Sequence, residues 1–150
     1  ILKVNVPELA ALLLAKEELA AAKDILFKMI VDSNLVGLNI KPLDLITVVG
    51  NLLDNAFEAV EPLPQENRNV VFKISETPKY FVFQTINPGY LSKEMREKIF
   101  QLGFSTKSRN GRGIGLASVK SVVEKNSGKI IVSSSKVRGT RFTVLFPVCR

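Results

Sequence analysis

The sequence predicts an α+β fold, a two-layer sandwich in which a mixed, mostly antiparallel sheet carries its helices on one face. Three observations support this prediction. Two long segments repeat apolar residues at helical spacing, and short strand-like segments later in the chain are joined in pairs by turns. The chain has 150 residues, of which 46% are hydrophobic, so it can bury one core.

The N-terminal part is predicted to hold two helices with a short strand between them. Leucines at helical spacing, and a proline suited to a first turn, predict a helix from Pro7 to about Ile30. A short strand is expected from Leu35 to Ile40. Pro42 opens a second helix, which runs to about Val60 and is ended by the Pro-Leu-Pro sequence at 62–64.

The C-terminal part is predicted to hold two strand pairs separated by helices. Strands at 70–76 and 80–86 are joined through a Thr-Pro-Lys turn, as in a hairpin. Ser92 is expected to cap a short helix that ends at Phe100, and residues 101–113 lack periodicity, which predicts a loop. The remaining elements are a helix from about Ile114 to Lys125 and strands at 129–135 and 140–148.

Composition excludes several classes of chemistry. The chain has no histidine and one cysteine, Cys149, which excludes a Ser-His-Asp triad, histidine-containing zinc sites and a disulfide framework within this sequence. No apolar run is long enough to cross a bilayer, and a reducing compartment is expected. The net charge of +7 favours an anionic partner such as a nucleotide, a nucleic acid, an acidic protein or a membrane surface.

The helix predicted at 42–60 has a polar strip of unusual composition. Asn51, Asn55 and Glu58 are about one turn apart and lie away from the apolar stripe. Asparagine is a poor helix former and costs about 0.5–1 kcal/mol at such a position. An amide oxygen, however, can join the coordination shell of magnesium. The alternative is a polar side that simply faces water.

A glycine-rich segment leads into the last predicted helix. Gly111, Gly113 and Gly115 would let the backbone approach a phosphate near a helix N-terminus. The segment is no P-loop, because no Gly-Lys-Ser/Thr follows, and it does not follow an apolar strand as a Rossmann fingerprint does. The segment before the glycines is Phe104, Ser105, Thr106 and Lys107, which supplies two hydroxyls and an ammonium group. Two interpretations fit it: a mobile lid over a nucleotide, or a basic surface loop.

Taken together, these segments resemble the GHKL ATPase superfamily and, within it, the citrate and dicarboxylate class of bacterial sensor histidine kinases. The resemblance spans nearly the whole chain. It is carried by NVPELAALLLAK (Asn5–Lys16), VVGNLLDNAFEAV (Val48–Val60), REKIFQLGFSTK (Arg96–Lys107), GRGIGLASVKSVVEKNSGKI (Gly111–Ile130) and GTRFTVLFP (Gly139–Pro147). It implies a Bergerat fold, with ATP between the asparagine helix and a mobile lid. It also implies a homodimeric parent protein in the inner membrane, with this domain in the cytoplasm and a response regulator as partner.

The resemblance implies a role for each site residue. Asn55 would ligate Mg²⁺, and Asn51 stands where gyrase-like relatives carry a glutamate that activates water. An amide cannot act as a base, which suits transfer of the phosphoryl group to histidine instead of water. The implied catalytic residues are Asn51, Asn55 and Lys107. The implied ATP-binding residues are Asn51, Asn55, Glu58, Asn87, Gly89, Phe104, Ser105, Thr106, Lys107, Gly111, Arg112, Gly113, Ile114, Gly115, Leu116 and Thr140.

One stretch departs from the pattern of the family, whose usual sequence there is Asp-x-Gly-x-Gly. Asn87 replaces the aspartate that bonds adenine, Gly89 matches the first glycine, and the second glycine is absent. An amide oxygen accepts the adenine N–H without charge assistance, so we expect binding to be weaker by about 1 kcal/mol. The alternative function is a degenerate module that docks to a response regulator and binds nucleotide weakly.

The N-terminal helix resembles the second helix of the dimerisation hairpin of such kinases. This resemblance divides the chain into residues 1–31, a partial hairpin, and residues 32–150, the ATP-binding domain. The apolar stripe of the helix is then expected to pack on a helix outside this sequence and on a second subunit. The phosphoacceptor histidine would lie on the hairpin of the same kinase or of its dimer partner. A nucleic-acid partner is not expected, because no recognisable reading motif accompanies the basic charge.

Overall fold

The computed structural model describes residues 4–101 and 112–148 and shows the predicted α+β two-layer fold. The helices are α1 (Pro7–Ala22), α2 (Pro42–Val60), α3 (Lys93–Lys98) and α4 (Arg112–Lys125), with a 3-10 turn at Gln65–Asn67. The strands are β1 (Leu26–Val31), β2 (Asn69–Glu76), β3 (Tyr80–Asn87), β4 (Lys129–Ser135) and β5 (Gly139–Pro147).

The five strands form one mixed sheet in the order β1-β2-β3-β5-β4. β1 pairs with β2 in parallel, and the other three pairs are antiparallel, which confirms the mostly antiparallel prediction. β3 and β5 lie side by side over eight residue pairs, with Asn87 at the end of β3 opposite Thr140 near the start of β5. This register brings two residues predicted to bind the nucleotide together at one end of the two inner strands.

The core lies between the sheet and α1, α2 and α4. Alternate residues of β2, β3 and β5 point into it, including Phe72, Phe83 and Phe142, all at most 1% exposed. Burial of such a side chain stabilises the fold by roughly 1.5–3 kcal/mol relative to exposure. α2 buries its whole apolar stripe, and its polar strip is left half-buried beside the core. The buried residues of α2 are Leu45, Val48, Val49, Leu52, Leu53, Ala56, Phe57 and Val60.

The N-terminal part differs from the prediction in two places. The helix predicted from Pro7 to Ile30 ends at Ala22, and Leu26–Val31 forms the edge strand β1. Asp24, with φ of 55°, turns the chain between them, and pairing with β2 outweighs the helical periodicity that continues into this segment. The strand predicted at 35–40 is absent, because that segment is a turn containing Gly37 with φ of 87°.

Contacts cross the predicted division at residue 31. Leu9 and Leu13 are fully buried in the same core cluster as α2, so the expectation that this stripe packs on a helix outside the sequence is wrong for these two residues. Lys16 Nζ lies 2.5 Å from Asp54 Oδ1 on α2. The assignment of residues 1–31 to a dimerisation hairpin stays a prediction.

The other elements follow the prediction closely. α2 and β4 have the predicted bounds, and Ser92 caps α3 by accepting a hydrogen bond from the Met95 N–H at 3.2 Å. α4 begins at Arg112, two residues before the predicted start. Among the helices in the described ranges, none has the length and apolar character needed to cross a membrane.

Candidate functional site

The polar strip of α2 faces the beginning of α4. Asn51 Nδ2 donates to the carbonyl oxygen of Thr47 at 2.8 Å, one turn earlier in the same helix. Asn51 Oδ1 points toward α4, where a Cβ added at Gly115 would lie 3.2 Å from it. A side chain at position 115 would therefore displace the amide of Asn51. Asn51, Asn55 and Gly115 are called the helix cluster below.

Two contacts define how α4 lies on α2. Gly115, in the first turn of α4, meets Asn51, while Lys125, at the end of α4, lies 3.1 Å from Asp44 in the first turn of α2. The two helices are therefore antiparallel. The N-terminus of α4, where the first backbone N–H groups have no partner within the helix, lies beside the asparagine strip. Such a helix end binds phosphate and other anions.

The contact at the other end of α4 is charged. The Asp44 carboxylate accepts hydrogen bonds from Lys125 Nζ and from Asn126 Nδ2, the latter at 3.3 Å. These two side-chain hydrogen bonds, Lys125 first, hold the pKa of Asp44 below its ordinary value. The two ends of α4 are thus joined to α2 by different means: a close glycine contact beside Asn51 and an ion pair at Asp44.

A second group of polar residues lies where β3 ends. Asn87 and Thr140 are each only 4% exposed and face each other in the β3–β5 ladder. Asn87 Nδ2 donates to the carbonyl oxygen of Pro88 at 2.6 Å, and Thr140 Oγ1 donates to that of Gly89 at 2.9 Å. Ser134 Oγ on β4 lies 2.9 Å from Thr140 Oγ1. Asn87, Gly89, Ser134 and Thr140 are called the strand cluster below.

Backbone geometry explains the glycines around the strand cluster. Gly139 has φ of 78°, and a Cβ built on it would collide with the carbonyl oxygen of Asn87. Gly89 has φ of 115°, which also favours glycine. The close approach at Gly139 is what lets Thr140 stand directly opposite Asn87. Glycine at position 139 is therefore a requirement of the backbone at this end of the sheet.

Thr85 is a polar residue of the core that the sequence analysis missed. It is fully buried on the inward row of β3, two residues before Asn87, with Phe72 and Phe142 as its ladder partners. Within the described part of the chain its hydroxyl has no hydrogen-bond partner, which costs about 1–3 kcal/mol for a buried group. Alternation along β3 could have revealed it, because Thr85 continues the inward series of Phe81 and Phe83.

Phe100, two residues after α3, packs against the core. Its ring packs edge-to-face on Phe142 with 6.2 Å between the ring centres, and Lys120 Nζ lies 5.8 Å from the centre of the Phe100 ring. Phe142 is also a ladder partner of Thr85. The ring of Phe100 therefore packs between β5 and α4.

The structure brings some of the predicted site residues together and leaves others undescribed. Asn51, Asn55 and Glu58 lie on the half-buried strip of α2, and Gly115 and Leu116 are partly buried on α4. The backbone of Arg112, Gly113 and Ile114 forms the first turn of α4. The predictions for Phe104, Ser105, Thr106, Lys107 and Gly111 fall outside the described residues.

The fold and this arrangement agree with one family of ATPases. Residues 40–150 match the family of histidine kinase-, DNA gyrase B- and HSP90-like ATPases, and the chain belongs to this family. The resemblance recognised in the sequence is thereby confirmed. The description of the family names an ATPase activity, so ATP is the ligand that the family implies.

Individual relatives are sensor kinases. A probable C4-dicarboxylate sensor kinase of Halalkalibacterium halodurans is 40% identical over 105 residues, which cover 69% of this chain and 20% of the relative. The sensor protein CitS of Bacillus subtilis is 34% identical over 152 residues, covering 96% of this chain and 27% of the relative. The chain spans about a quarter of the length of the curated relatives it matches.

A solved structure shares the fold of this chain. The nucleotide-free catalytic domain of histidine kinase ThkA superposes with a TM-score of 0.80 at 22% identity. The similarity covers 98% of this chain and 93% of that domain, so it includes α1 and β1 as well as the sheet and α2. The predicted fold class is confirmed by this likeness.

Proposed function

We propose that this chain is the ATP-binding catalytic part of a two-component sensor histidine kinase, which binds Mg–ATP and transfers the γ-phosphoryl group to a histidine. The family supports the use of ATP, and relatives named as sensor kinases support the kinase activity. The chain has no histidine, so the phosphoacceptor lies outside it. The observation that carries the proposal is the contact of Gly115 with Asn51, which sets a phosphate-binding helix end beside two amide side chains.

The residues of both clusters fit a nucleotide. The missing side chain at position 115 leaves Asn51 Oδ1 uncovered on the side of α4, where a Cβ would fill the space. Asn87 uses its Nδ2 within the protein, so its Oδ1 is the atom left to accept a hydrogen bond from an adenine amino group. The hydroxyl of Thr85, for which the described ranges hold no hydrogen-bond partner, is a further polar atom on the same strand.

Each of these residues has a proposed role in that reaction. When bound, Mg–ATP would supply the phosphoryl group and a metal that neutralises phosphate charge. Asn55 would hold the metal through its amide oxygen, which is a hard ligand. Asn51 would position the phosphates and cannot deprotonate water, which disfavours hydrolysis. Lys107 and Arg112 would neutralise phosphate charge, and Glu58, Phe104, Ser105, Thr106, Ile114 and Leu116 would complete the binding site.

The setting of the parent protein is also a proposal. The parent protein would be a homodimeric kinase in the inner membrane, with this domain on the cytoplasmic side. Relatives named as a probable C4-dicarboxylate sensor kinase and as a sensor protein support a role in sensing. A response regulator would take the phosphoryl group from the histidine. Residues 1–31 would be the C-terminal, partial helix of the dimerisation hairpin.

Calorimetric titration with Mg–ATP tests the proposal. We expect the parent chain to bind ATP, and we expect chelation of magnesium with EDTA to weaken binding strongly. Asn55→Ala should abolish measurable binding, because it removes the metal ligand. Asn69→Ala is the matched control: Asn69 is also an asparagine, but it begins β2 and donates weakly to Glu66 at 3.4 Å, away from both clusters.

The titration separates the kinase from the alternative function. Absence of binding in the folded parent chain at millimolar ATP would reject the kinase and favour the docking module, for which the replacement of the usual aspartate by Asn87 is the supporting observation. Equal affinities of Asn55→Ala and Asn69→Ala would reject the role of Asn55 as metal ligand.

A further inference from the structure

We propose that Ser134 is a positioning residue for the base-binding side of the site, acting through a directed chain of hydrogen bonds that runs from Leu91 to Gly89. The proposal rests on the proposed function, because the consequence it predicts is for nucleotide binding. Ser134 lies on β4 and is partly buried; it belongs to none of the segments to which the sequence assigned a role in binding.

The direction of each hydrogen bond follows from counting hydrogens. Thr140 Oγ1 donates its one hydrogen to the carbonyl oxygen of Gly89 at 2.9 Å. In its contact with Ser134 Oγ at 2.9 Å, Thr140 must therefore accept, so Ser134 donates. Ser134 Oγ in turn accepts from the N–H of Leu91 at 2.8 Å. All three bonds point the same way, from Leu91 through Ser134 and Thr140 to Gly89.

This chain of hydrogen bonds connects three separate parts of the sequence. Thr140 is paired with Asn87 in the β3–β5 ladder and with Ser134 in the β4–β5 ladder, so it lies between them. Leu91 and Gly89 belong to the turn that follows β3. Both ends of the chain are backbone groups of this turn, and its two middle members are side chains of the sheet. Ser134 therefore holds the turn against the sheet.

The position of the turn decides which atom of Asn87 a ligand meets. Asn87 Nδ2 donates to the carbonyl oxygen of Pro88 at 2.6 Å, and Pro88 lies in the same turn. While the turn is held, Nδ2 is occupied and Oδ1 is left as an acceptor, which suits the amino group of adenine. If the turn shifts, the amide can rotate and offer Nδ2 instead, which suits the carbonyl group of guanine. Loss of Ser134 should thus alter base discrimination and leave phosphate binding intact.

Three variants on one strand test this inference. Ser134→Ala removes the hydroxyl, Ser134→Thr retains it, and Ser133→Ala removes a neighbouring hydroxyl that is exposed on the other face of the sheet. With each, we would titrate Mg–ATP, Mg–GTP and magnesium tripolyphosphate. For Ser134→Ala we expect ATP affinity to fall about fivefold to tenfold, the scale of one hydrogen bond, and the preference for ATP over GTP to narrow. Tripolyphosphate affinity should not change.

The controls decide between positioning and general destabilisation. Ser134→Thr should restore the ATP preference, and Ser133→Ala should keep it throughout. Equal ATP affinities and ATP/GTP ratios for Ser134→Ala and Ser133→Ala would overturn the proposal, as would a parallel loss of tripolyphosphate binding.

Hydrogen exchange separates failure of this inference from failure of the proposed function. Without any nucleotide, the Leu91 N–H should be protected in the parent and in Ser134→Thr and should exchange faster in Ser134→Ala. If the parent does not bind ATP but this protection pattern holds, the proposed function fails while the hydrogen-bond chain stands. An unprotected Leu91 N–H in the parent would refute the chain itself.

Discussion

The helix cluster and the strand cluster are built in different ways. In the strand cluster, Asn87 and Thr140 are almost completely buried, and their side-chain hydrogen bonds hold backbone groups of the turn after β3. In the helix cluster, Asn51 is half-buried, and its hydrogen bond goes to Thr47 in its own helix. The first is therefore part of what holds the sheet together, whereas the second is carried by a helix whose core face lies elsewhere. Changes that displace the buried Asn87 or Thr140 should alter folding and binding together; changes in the helix cluster should alter binding without destabilising the fold.

Gly139→Ala should have the largest effect and would sharpen this contrast. A methyl group at this position would collide with the carbonyl oxygen of Asn87. Alanine would also be strained at the φ of 78° that Gly139 adopts. We expect a loss of about 2–4 kcal/mol in the free energy of unfolding, measured by urea denaturation, together with loss of ATP binding.

Gly37→Ala is the matched control for Gly139→Ala. Gly37 has φ of 87°, but nothing lies within 4 Å of a Cβ added there. Its substitution should cost only the conformational strain, about 1–2 kcal/mol, and leave ATP binding unchanged. Equal costs for the two variants would contradict the close approach of β5 to Asn87.

Local signals account for the parts of the fold that the sequence predicts well. α2 begins at a proline, ends before Pro-Leu-Pro and has an uninterrupted apolar stripe, so its bounds and its polar strip follow from the sequence. β1 could not be found in this way, because Leu26–Val31 continues the helical spacing of the preceding segment. Its conformation is decided by parallel pairing with β2, a contact between residues more than forty positions apart.

The residues of the candidate site likewise divide into those that the sequence reveals and those that only the pairing of strands reveals. Asn51 and Gly115 are recognisable from residue type and spacing, because their chemistry is unusual where they stand, whereas Asn87 is assigned only through the resemblance to the family. Ser134 is one of three consecutive serines, and only the register of β4 with β5 shows which of them faces Thr140. The collision that requires glycine at position 139 is likewise invisible until β3 and β5 are paired.

Thr85→Val should have the next largest effect on the free energy of unfolding. It would test whether one substitution can raise stability and lower ATP affinity. The substitution removes a buried hydroxyl that has no partner among the described residues and keeps nearly the same shape. We expect the free energy of unfolding to rise by about 1–2 kcal/mol. If the hydroxyl contributes to the nucleotide site, directly or through a water molecule, ATP affinity should fall in the same variant.

Thr143→Val is the control for Thr85→Val. Thr143 Oγ1 accepts a hydrogen bond from Gln84 Nε2 at 3.1 Å, so the same chemical change removes a made bond and should destabilise by about 0.5–1.5 kcal/mol. ATP affinity should stay that of the parent. A loss of stability in Thr85→Val comparable to that in Thr143→Val would show that the Thr85 hydroxyl has a partner in solution.

Gly115→Ala should separate binding from stability in the helix cluster. The added methyl group lies 3.2 Å from Asn51 Oδ1, so the amide must move by a few tenths of an ångström. We expect ATP affinity to fall by roughly three- to tenfold, equivalent to about 0.6–1.4 kcal/mol. Stability should hold or rise slightly, because alanine is a better helix former than glycine. Gly50→Ala, whose Cβ would meet Leu12 at an ordinary 3.8 Å, should raise stability and leave ATP affinity alone.

Asp44→Asn should have the smallest effect on the free energy of unfolding. This variant tests whether the C-terminal end of α4 is joined to α2 independently of the nucleotide site. Lys125 and Asn126 hold the pKa of Asp44 below its ordinary value in the folded chain. The ionised carboxylate therefore stabilises the fold above its unfolded-state pKa, and this contribution is lost as the pH falls through the folded-state pKa. Because Lys125 is 61% exposed, we expect at most about 1 kcal/mol, and less at high salt.

The measurement for Asp44 is the difference in unfolding free energy between the parent and Asp44→Asn as a function of pH. The difference should be constant from neutral pH to about pH 5 and should shrink on further acidification, when the parent also loses the charge. A difference that grows toward acid pH would reverse the sign of the pKa shift. ATP affinity at neutral pH should be the same in both proteins, because Asp44 meets the C-terminal end of α4 and Asn51 meets its N-terminal end. If Asp44→Asn weakens ATP binding as much as Gly115→Ala does, α4 moves as a rigid unit, so that loss of its contact with Asp44 also shifts its contact with Asn51. ATP binding at the helix cluster would then depend on the ion pair at the other end of α4.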